Sequence, residues 1–226
     1  MSKKNSNVLS LKSIFKKNKK ISEIYLNFKF ILETSINKKS FVVGVSGGPD
    51  SLALAALSKM YQHEKKTKTF FVLIDHGIRN NSKGEANSVK KLLKKKKLDL
   101  KIIRNNEKIE KNIQNKARTI RYKLLAEYCR KKKIQFILTG HHSDDQIETF
   151  LIRLSRGSGV QGLSSMNKIT RLNKSIRVFR PLLDFKKKDF IFEKPAIIQR
   201  YQSSHVGFDC VSLLRRYDRN GCPSQY

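Results

Sequence analysis

Two short runs of this sequence hold side chains whose types and spacing can do chemistry. The first is Ser46-Gly47-Gly48-Pro49-Asp50-Ser51, entered from Phe41-Val42-Val43-Gly44-Val45 and followed by Leu52, Leu54, Ala55, Ala56 and Leu57. Glycine here allows a tight turn and lets a ligand approach the main chain. Proline suits the first turn of a helix, and Asp and Ser can satisfy its unpaired N–H groups. A strand, a glycine turn and a helix start together make an anion site, because free N–H groups and the helix dipole point to the same place. The bland alternative is a strand-to-helix turn with no ligand, which needs fewer glycines and capping residues than this run holds. The lysine of a G-x-x-x-x-G-K-[ST] phosphate loop is missing, and so is the G-x-G-x-x-G of a dinucleotide site.

The second run, Gly140-His141-His142-Ser143-Asp144-Asp145-Gln146-Ile147-Glu148, packs two histidines and three acids into a strand-to-helix junction. On a helix from Ser143, Asp145 and Glu148 lie three apart and share a face, as do His142 and Asp145. Acids at a helix start are also favoured by its dipole, which gives Asp144 and Asp145 a purely structural reading. Zinc needs three or four protein ligands, and a site built on these histidines supplies too few. Magnesium, held by carboxylate and phosphate oxygens, fits an anion site better. Arg118 and Arg121, also three apart, put two guanidiniums on one helix face. They read either as neutralisers of anionic charge or as part of a solvated basic helix.

These residues need a scaffold that gathers them. Ile24, Phe28, Ile31 and Leu32 recur at helical spacing between Lys20 and Ile36, predicting an amphipathic helix that leads into the first strand. Strand and helix signals then alternate: strands at 41–46, 70–75, 100–103 and 134–139, helices at 50–60, 82–97, 110–133 and 143–155. Such alternation predicts an α/β fold: a Rossmann-like, doubly wound, mainly parallel sheet with ligands at the carboxyl ends of its strands. Asp75-His76-Gly77 and Gly140-His141-His142 fall at two such ends, on the rim that carries the glycine run.

The pattern S-G-G-x-D-S after a strand resembles the signature of the PP-loop (N-type) ATP pyrophosphatases. The resemblance implies that Ser46, Gly47, Gly48, Pro49, Asp50 and Ser51 hold the β,γ-pyrophosphate of ATP, with reaction at the α-phosphate. The string G-H-H-x-D-D-Q-x-E-T-x-L-x-R-L-x-R-G-S-G-x-x-G-L from Gly140 narrows this. Together with Asp75-His76-Gly77-Ile78-Arg79, the run from Gln114 to Leu125, and Arg180-Pro181-Leu182-Leu183-Asp184, it is similar to the tRNA(Ile)-lysidine synthases. Members of that family attach free L-lysine to C2 of the wobble cytidine in the CAU anticodon of an isoleucine tRNA, turning ATP into AMP and pyrophosphate. Carried over, the resemblance implies Asp50, Arg118 and Asp145 as catalytic residues, with His76, Arg79 and His141 bordering the nucleotide. It further implies a lysine pocket at Asp145 and Glu148, and a tRNA contact at Arg121, Arg153, Arg156 and Gly157-Ser158-Gly159. ATP with Mg2+ is the implied cofactor pair; Asp50 could hold the metal or orient the lysine ammonium, and which of Asp50, Asp145 and Glu148 contacts lysine stays open.

Composition sets the remaining bounds. The chain has 226 residues, 49 Lys+Arg against 18 Asp+Glu and a formal charge of +31, which points to a polyanionic partner such as RNA. Lysine far outnumbers arginine, so part of the excess reads as coding bias. No apolar run is long enough to span a bilayer, and the first 20 residues lack a signal-peptide apolar stretch. They also lack arginine, unlike a mitochondrial presequence. Cys129, Cys210 and Cys222 form no C-x-x-C, so the expectation is reduced thiols in a cytoplasmic protein with no membrane association. The scattered cysteines also argue against a PP-loop tRNA thiolase, which uses cysteine pairs or an iron–sulfur cluster. The expected organisation is a basic tail and amphipathic helix over 1–36, a PP-loop domain over 37–188, and a short, divergent or truncated segment over 189–226. Lys194 is the only lysine in that last segment, and Arg215 to Asn220 is at best a faint echo of the family's continuation. This departure keeps open a non-catalytic PP-loop protein that binds ATP or RNA.

Overall fold

Phe41–Gly44 forms β1, the centre of the sheet, and its burial explains its composition: Phe41, Val42 and Val43 are all fully buried. The computed structural model describes residues 19–107, 109, 111–157, 159 and 166–190. Before β1 comes α1 (Lys19–Ile36), whose Phe28, Leu32 and Ile36 are buried along one face. The chain then runs through α2 (Pro49–Lys65), β2 (Thr69–Asp75), α3 (Ser82–Lys95), β3 (Leu100–Arg104), α4 (Ile113–Lys132) and β4 (Phe136–Leu138). It ends, among the described residues, with α5 (Ser143–Ser155), β5 (Ile169–Arg171), β6 (Arg177–Phe179) and the single turn α6 (Lys187–Phe190). The expected basic tail over residues 1–18, Ser158, Cys210 and Cys222 lie outside the described residues. Two compact units divide the chain, Met1–Phe190 and Ile191–Tyr226, and the second lies wholly outside the described residues.

The six strands lie in the order β3-β2-β1-β4-β6-β5. All neighbours are parallel except β5 and β6, an antiparallel edge pair with Thr170 opposite Val178. Phe41 pairs with Thr69 on one side and Phe136 on the other, so β1 and β4 are adjacent although far apart in sequence. Both faces of the sheet are covered, as a central parallel sheet requires. Val42 and Val72 pack with Leu125, Ala126 and Cys129 of α4, while the Phe41 ring meets Tyr61 of α2 at 6.1 Å on the other face. Burial pushes the Cys129 thiol up to about 12, so it sits in the core as a small apolar side chain.

The β5–β6 hairpin has no counterpart in the strands expected from sequence. Its strands are three residues each, and β5 is exposed along its whole length, so neither an apolar run nor a sustained alternation marks it. The end of β1 also differs from expectation. Ordered pairing stops at Gly44, although Val45 still donates its N–H to the Val72 carbonyl at 2.8 Å. Helix α2 runs past the expected Met60 to Lys65 and stops at Lys66, whose φ of 52° is left-handed. Among the described residues no helix is long and apolar enough to cross a membrane.

Candidate active site at the strand ends

From β1 the chain crosses to β2 and β3 on one side, while β4, β6 and β5 build the other side. The sheet therefore has a switch point between β1 and β4, where crossovers diverge and leave a crevice beyond the strand ends. A cleft of about 340 Å³ lies there. Ser46, Asp50 and Ser51 border it from the β1 end, His76 from the β2 end, and Gly140, His141 and Asp145 from the β4 end. Its apolar wall is Val72, Ile74 and Leu125, a surface suited to a flat aromatic base, and Arg121 and Tyr122 enter from α4.

The Ser46–Ser51 turn is tied by one hydroxyl. Ser51 Oγ accepts from the Ser46 N–H and the Ser46 hydroxyl, each at 3.1 Å, and donates to the Gly48 carbonyl at 2.9 Å. Gly47 has φ +88°, and a Cβ there would lie 2.9 Å from Val89 Cγ2, so the position excludes a side chain on two counts. Gly48 is different: it is extended, with φ −72°, and serves as the N-cap of α2 with Pro49 following it. No side chain caps this helix start, contrary to the capping expected of Asp50 and Ser51. The uncapped first turn leaves N–H donors for an anion at the cleft.

Gly140 closes the other side. A Cβ there would meet the Asp50 carbonyl oxygen at 3.0 Å and Ser51 Cα at 3.2 Å, so the end of β4 can touch the first turn of α2 only with glycine at this position. This contact sets Asp50 next to the second run. His142 Nε2 lies 3.7 Å from Asp50 Oδ2, and the His142 N–H donates to Asp145 Oδ2 at 2.8 Å. Burial pushes the Asp50 carboxyl above the usual carboxylate range; Lys187 and His142 oppose the shift and Asp145 adds to it. Asp50 Oδ1 is buried with no hydrogen-bond partner among the described residues, which marks it as an acceptor for a cation or an ammonium group.

The two cleft histidines are held neutral. Burial, with the nearby Arg180 charge, pushes His141 down to about 4, and Thr139 Oγ1 lies 2.9 Å from its Nδ1. When that hydroxyl donates, the ring proton sits on Nε2 and His141 is a neutral donor. Burial and then Arg121 lower His76, whose Nδ1 is buried without a partner among the described residues. Burial also lowers Arg121, the one guanidinium that lines the cleft among the described residues.

The remaining candidates lie farther out. Arg118 is exposed, with its guanidinium 5.3 Å from the Tyr122 ring. Arg79 is exposed and sits 3.7 Å from Glu85. Glu148, Arg156 and Gly157 are exposed, and Arg153 is half-buried on α5. Thr139, Gly140 and Tyr122 line the cleft without having been singled out, and Lys187 and Arg180 act on its charges. Arg180 and the glycine stood inside recognisable motifs; Tyr122, inside the Gln114 to Leu125 run, gave no separate signal.

A model of the PP-loop domain matches residues 15–206, most of the chain. The chain is 40% identical over 183 residues to tRNA(Ile)-lysidine synthase of Wolbachia pipientis wMel, covering 77% of this chain and 42% of that protein. It is 43% identical over 148 residues to tRNA(Ile)-lysidine synthase of Orientia tsutsugamushi (strain Boryong), covering 65% of this chain and 33% of that protein. The chain thus spans less than half the length of these curated relatives. Among solved structures, the U34-tRNA thiolase NcsA from Methanococcus maripaludis superposes with a TM-score of 0.62 at 19% identity, over 89% of this chain and 79% of that one, a likeness of fold. With its strand-end loop, its switch-point cleft and this match, the chain belongs to the PP-loop domain family.

Proposed function

We propose that this chain carries out ATP-dependent ligation of L-lysine to C2 of the wobble cytidine in the CAU anticodon of an isoleucine tRNA. The observation that carries the reading is the cleft in which the Ser46–Ser51 turn, His141, Asp145 and Arg121 converge. Its substrate-level detail is supported by the likeness to the curated lysidine synthases.

Cytosine O2 is a poor leaving group and has to be activated. Attack of O2 on the α-phosphate breaks its bond to the β-phosphate and releases pyrophosphate; the lysine ε-amine then attacks C2, and AMP leaves with O2. Ser46, Gly47, Gly48 and Ser51 cradle the pyrophosphate, using the uncapped first turn after Pro49. Arg121 and the neutral His141 supply donors where negative charge builds up at the α-phosphate. Asp145 receives the lysine ammonium and orients it before it loses a proton, since only the neutral amine attacks. Asp50, whose buried oxygen has no partner among the described residues, fits Mg2+, and the Asp145 charge acts on it. Bound there, the metal neutralises phosphate oxygens. His76 borders the base beside Val72 and Ile74. The exposed Arg79, Glu148 and Arg156 and the half-buried Arg153 are left for the tRNA or for the surface around the lysine entrance. A tRNA substrate places the reaction in the cytoplasm.

The test incubates purified protein with ATP, Mg2+, radiolabelled lysine and isoleucine tRNA bearing CAU. Lysine counts in the tRNA that fall at least about 100-fold in Asp50→Ala are expected. Absence of counts in a chain that still retains ATP overturns the ligase reading and leaves a nucleotide-binding PP-loop protein.

A further inference from the structure

Tyr122 stands between two arginines that have different jobs. The guanidinium of Arg118 lies over its ring at 5.3 Å from the centroid, and Arg180 is close enough to interact with it electrostatically. Arg180 is only 5% exposed. Its Nη1 donates to the Asn167 carbonyl and to Thr170 Oγ1, each at 2.8 Å, and its own N–H donates to the Lys168 carbonyl at 2.8 Å. Arg180 is therefore fixed by the β5–β6 hairpin and the segment before it, with its Nε left without a hydrogen-bond partner among the described residues.

Arg118 is held in another way. Among the described residues neither it nor Arg180 forms a salt bridge, whereas Lys123, five positions on along α4, is paired with Glu107 at 2.6 Å. A carboxylate partner would occupy donors of the guanidinium and cancel its charge. A ring holds the group by its face and leaves the in-plane N–H edge open. Tyr122 itself lines the cleft. We propose that Tyr122 is a positioning residue: seated in the cleft wall, it holds Arg118 by the face of its ring and presents the guanidinium N–H edge to a phosphate of ATP. Arg118 also acts electrostatically on His141, which places its charge within reach of the cleft.

The inference rests on the reading of the cleft as an ATP site. Equilibrium dialysis of the full chain with radiolabelled ATP and Mg2+ tests both. Arg118→Ala is expected to weaken binding about tenfold, and Tyr122→Leu about fivefold. The double variant should be no weaker than Arg118→Ala alone, within about twofold, because Tyr122 acts through Arg118. Tyr122→Phe keeps the ring and should lose only about twofold, a rescue that also shows the fold intact. Additive losses in the double variant, or an unchanged affinity in Tyr122→Leu, overturn the positioning role alone. Wild-type chain that retains no ATP overturns the ATP reading and the inference with it.

Discussion

At the scale of single residues, Gly140 and His141 show how closely the site is drawn. A methyl group at position 140 would press on the Asp50 carbonyl at 3.0 Å and on Ser51 Cα at 3.2 Å, both main-chain atoms that cannot swing away. Gly140→Ala is therefore expected to push β4 from the phosphate turn, costing about 1–3 kcal/mol of stability and weakening ATP retention, read by urea unfolding and dialysis. His141 carries a pH signature. The folded group titrates at about 4 and the unfolded one near 6.5, so between those values only the unfolded chain takes the proton. Stability from this residue is complete above pH 6.5, is lost as pH falls from 6.5 towards 4, and is flat below. His76, also lowered, acts in the same direction. The His141 part amounts to at most about 3 kcal/mol, less what solvent screens. Urea midpoints at pH 7 and pH 5 should differ more in wild type than in His141→Gln.

At the scale of elements, the sheet divides into strands that the sequence announces and strands that it does not. Ile137 on β4 is fully buried between β1 and β6, in a run whose every residue is buried. Ile137→Ala should cost about 2–5 kcal/mol by urea unfolding, through lost burial and the cavity left behind. Ile169 on the edge strand β5 is 39% exposed, and Ile169→Ala should change stability by less than about 0.5 kcal/mol. The same difference explains legibility. A strand buried on both faces writes a continuous apolar run, as Phe41 to Val43 and Phe136 to Leu138 do. A three-residue edge strand exposed along its length writes nothing a periodicity can find, although Arg180, just past its partner strand, donates to Thr170 on it.

At the scale of the whole molecule, charge decides what the protein meets. A formal charge of +31 on 226 residues attracts any polyanion, with or without sequence preference. Each phosphate neutralised releases counterions, so tRNA affinity should fall roughly 1,000-fold between about 50 and 200 mM salt if six or more phosphates are engaged. Filter binding across that range reads the slope, and an affinity indifferent to salt would mean that the lysines take no part. ATP retention, confined to a cleft with an apolar wall, should respond far less.

The sequence by itself determined the α/β alternation, the glycine turn at Ser46–Ser51 and the second cluster after β4, because these rest on local signals: apolar runs, glycine positions and acids at a helix start. It also brought Asp50, His76, His141 and Asp145 to one rim, since strand ends in a parallel sheet share an edge. Tertiary structure alone decided which α4 arginine enters the cleft. Arg118 and Arg121 are equivalent by spacing, yet the rotation of α4 against β1 and β2 turns Arg121 inward and leaves Arg118 exposed on Tyr122. It decided likewise that Gly140 must touch Asp50, and that Arg180 and Lys187 act on the site, because those contacts join segments separated by tens of residues. Local propensity carries no record of such distances, and only the packed sheet closes them.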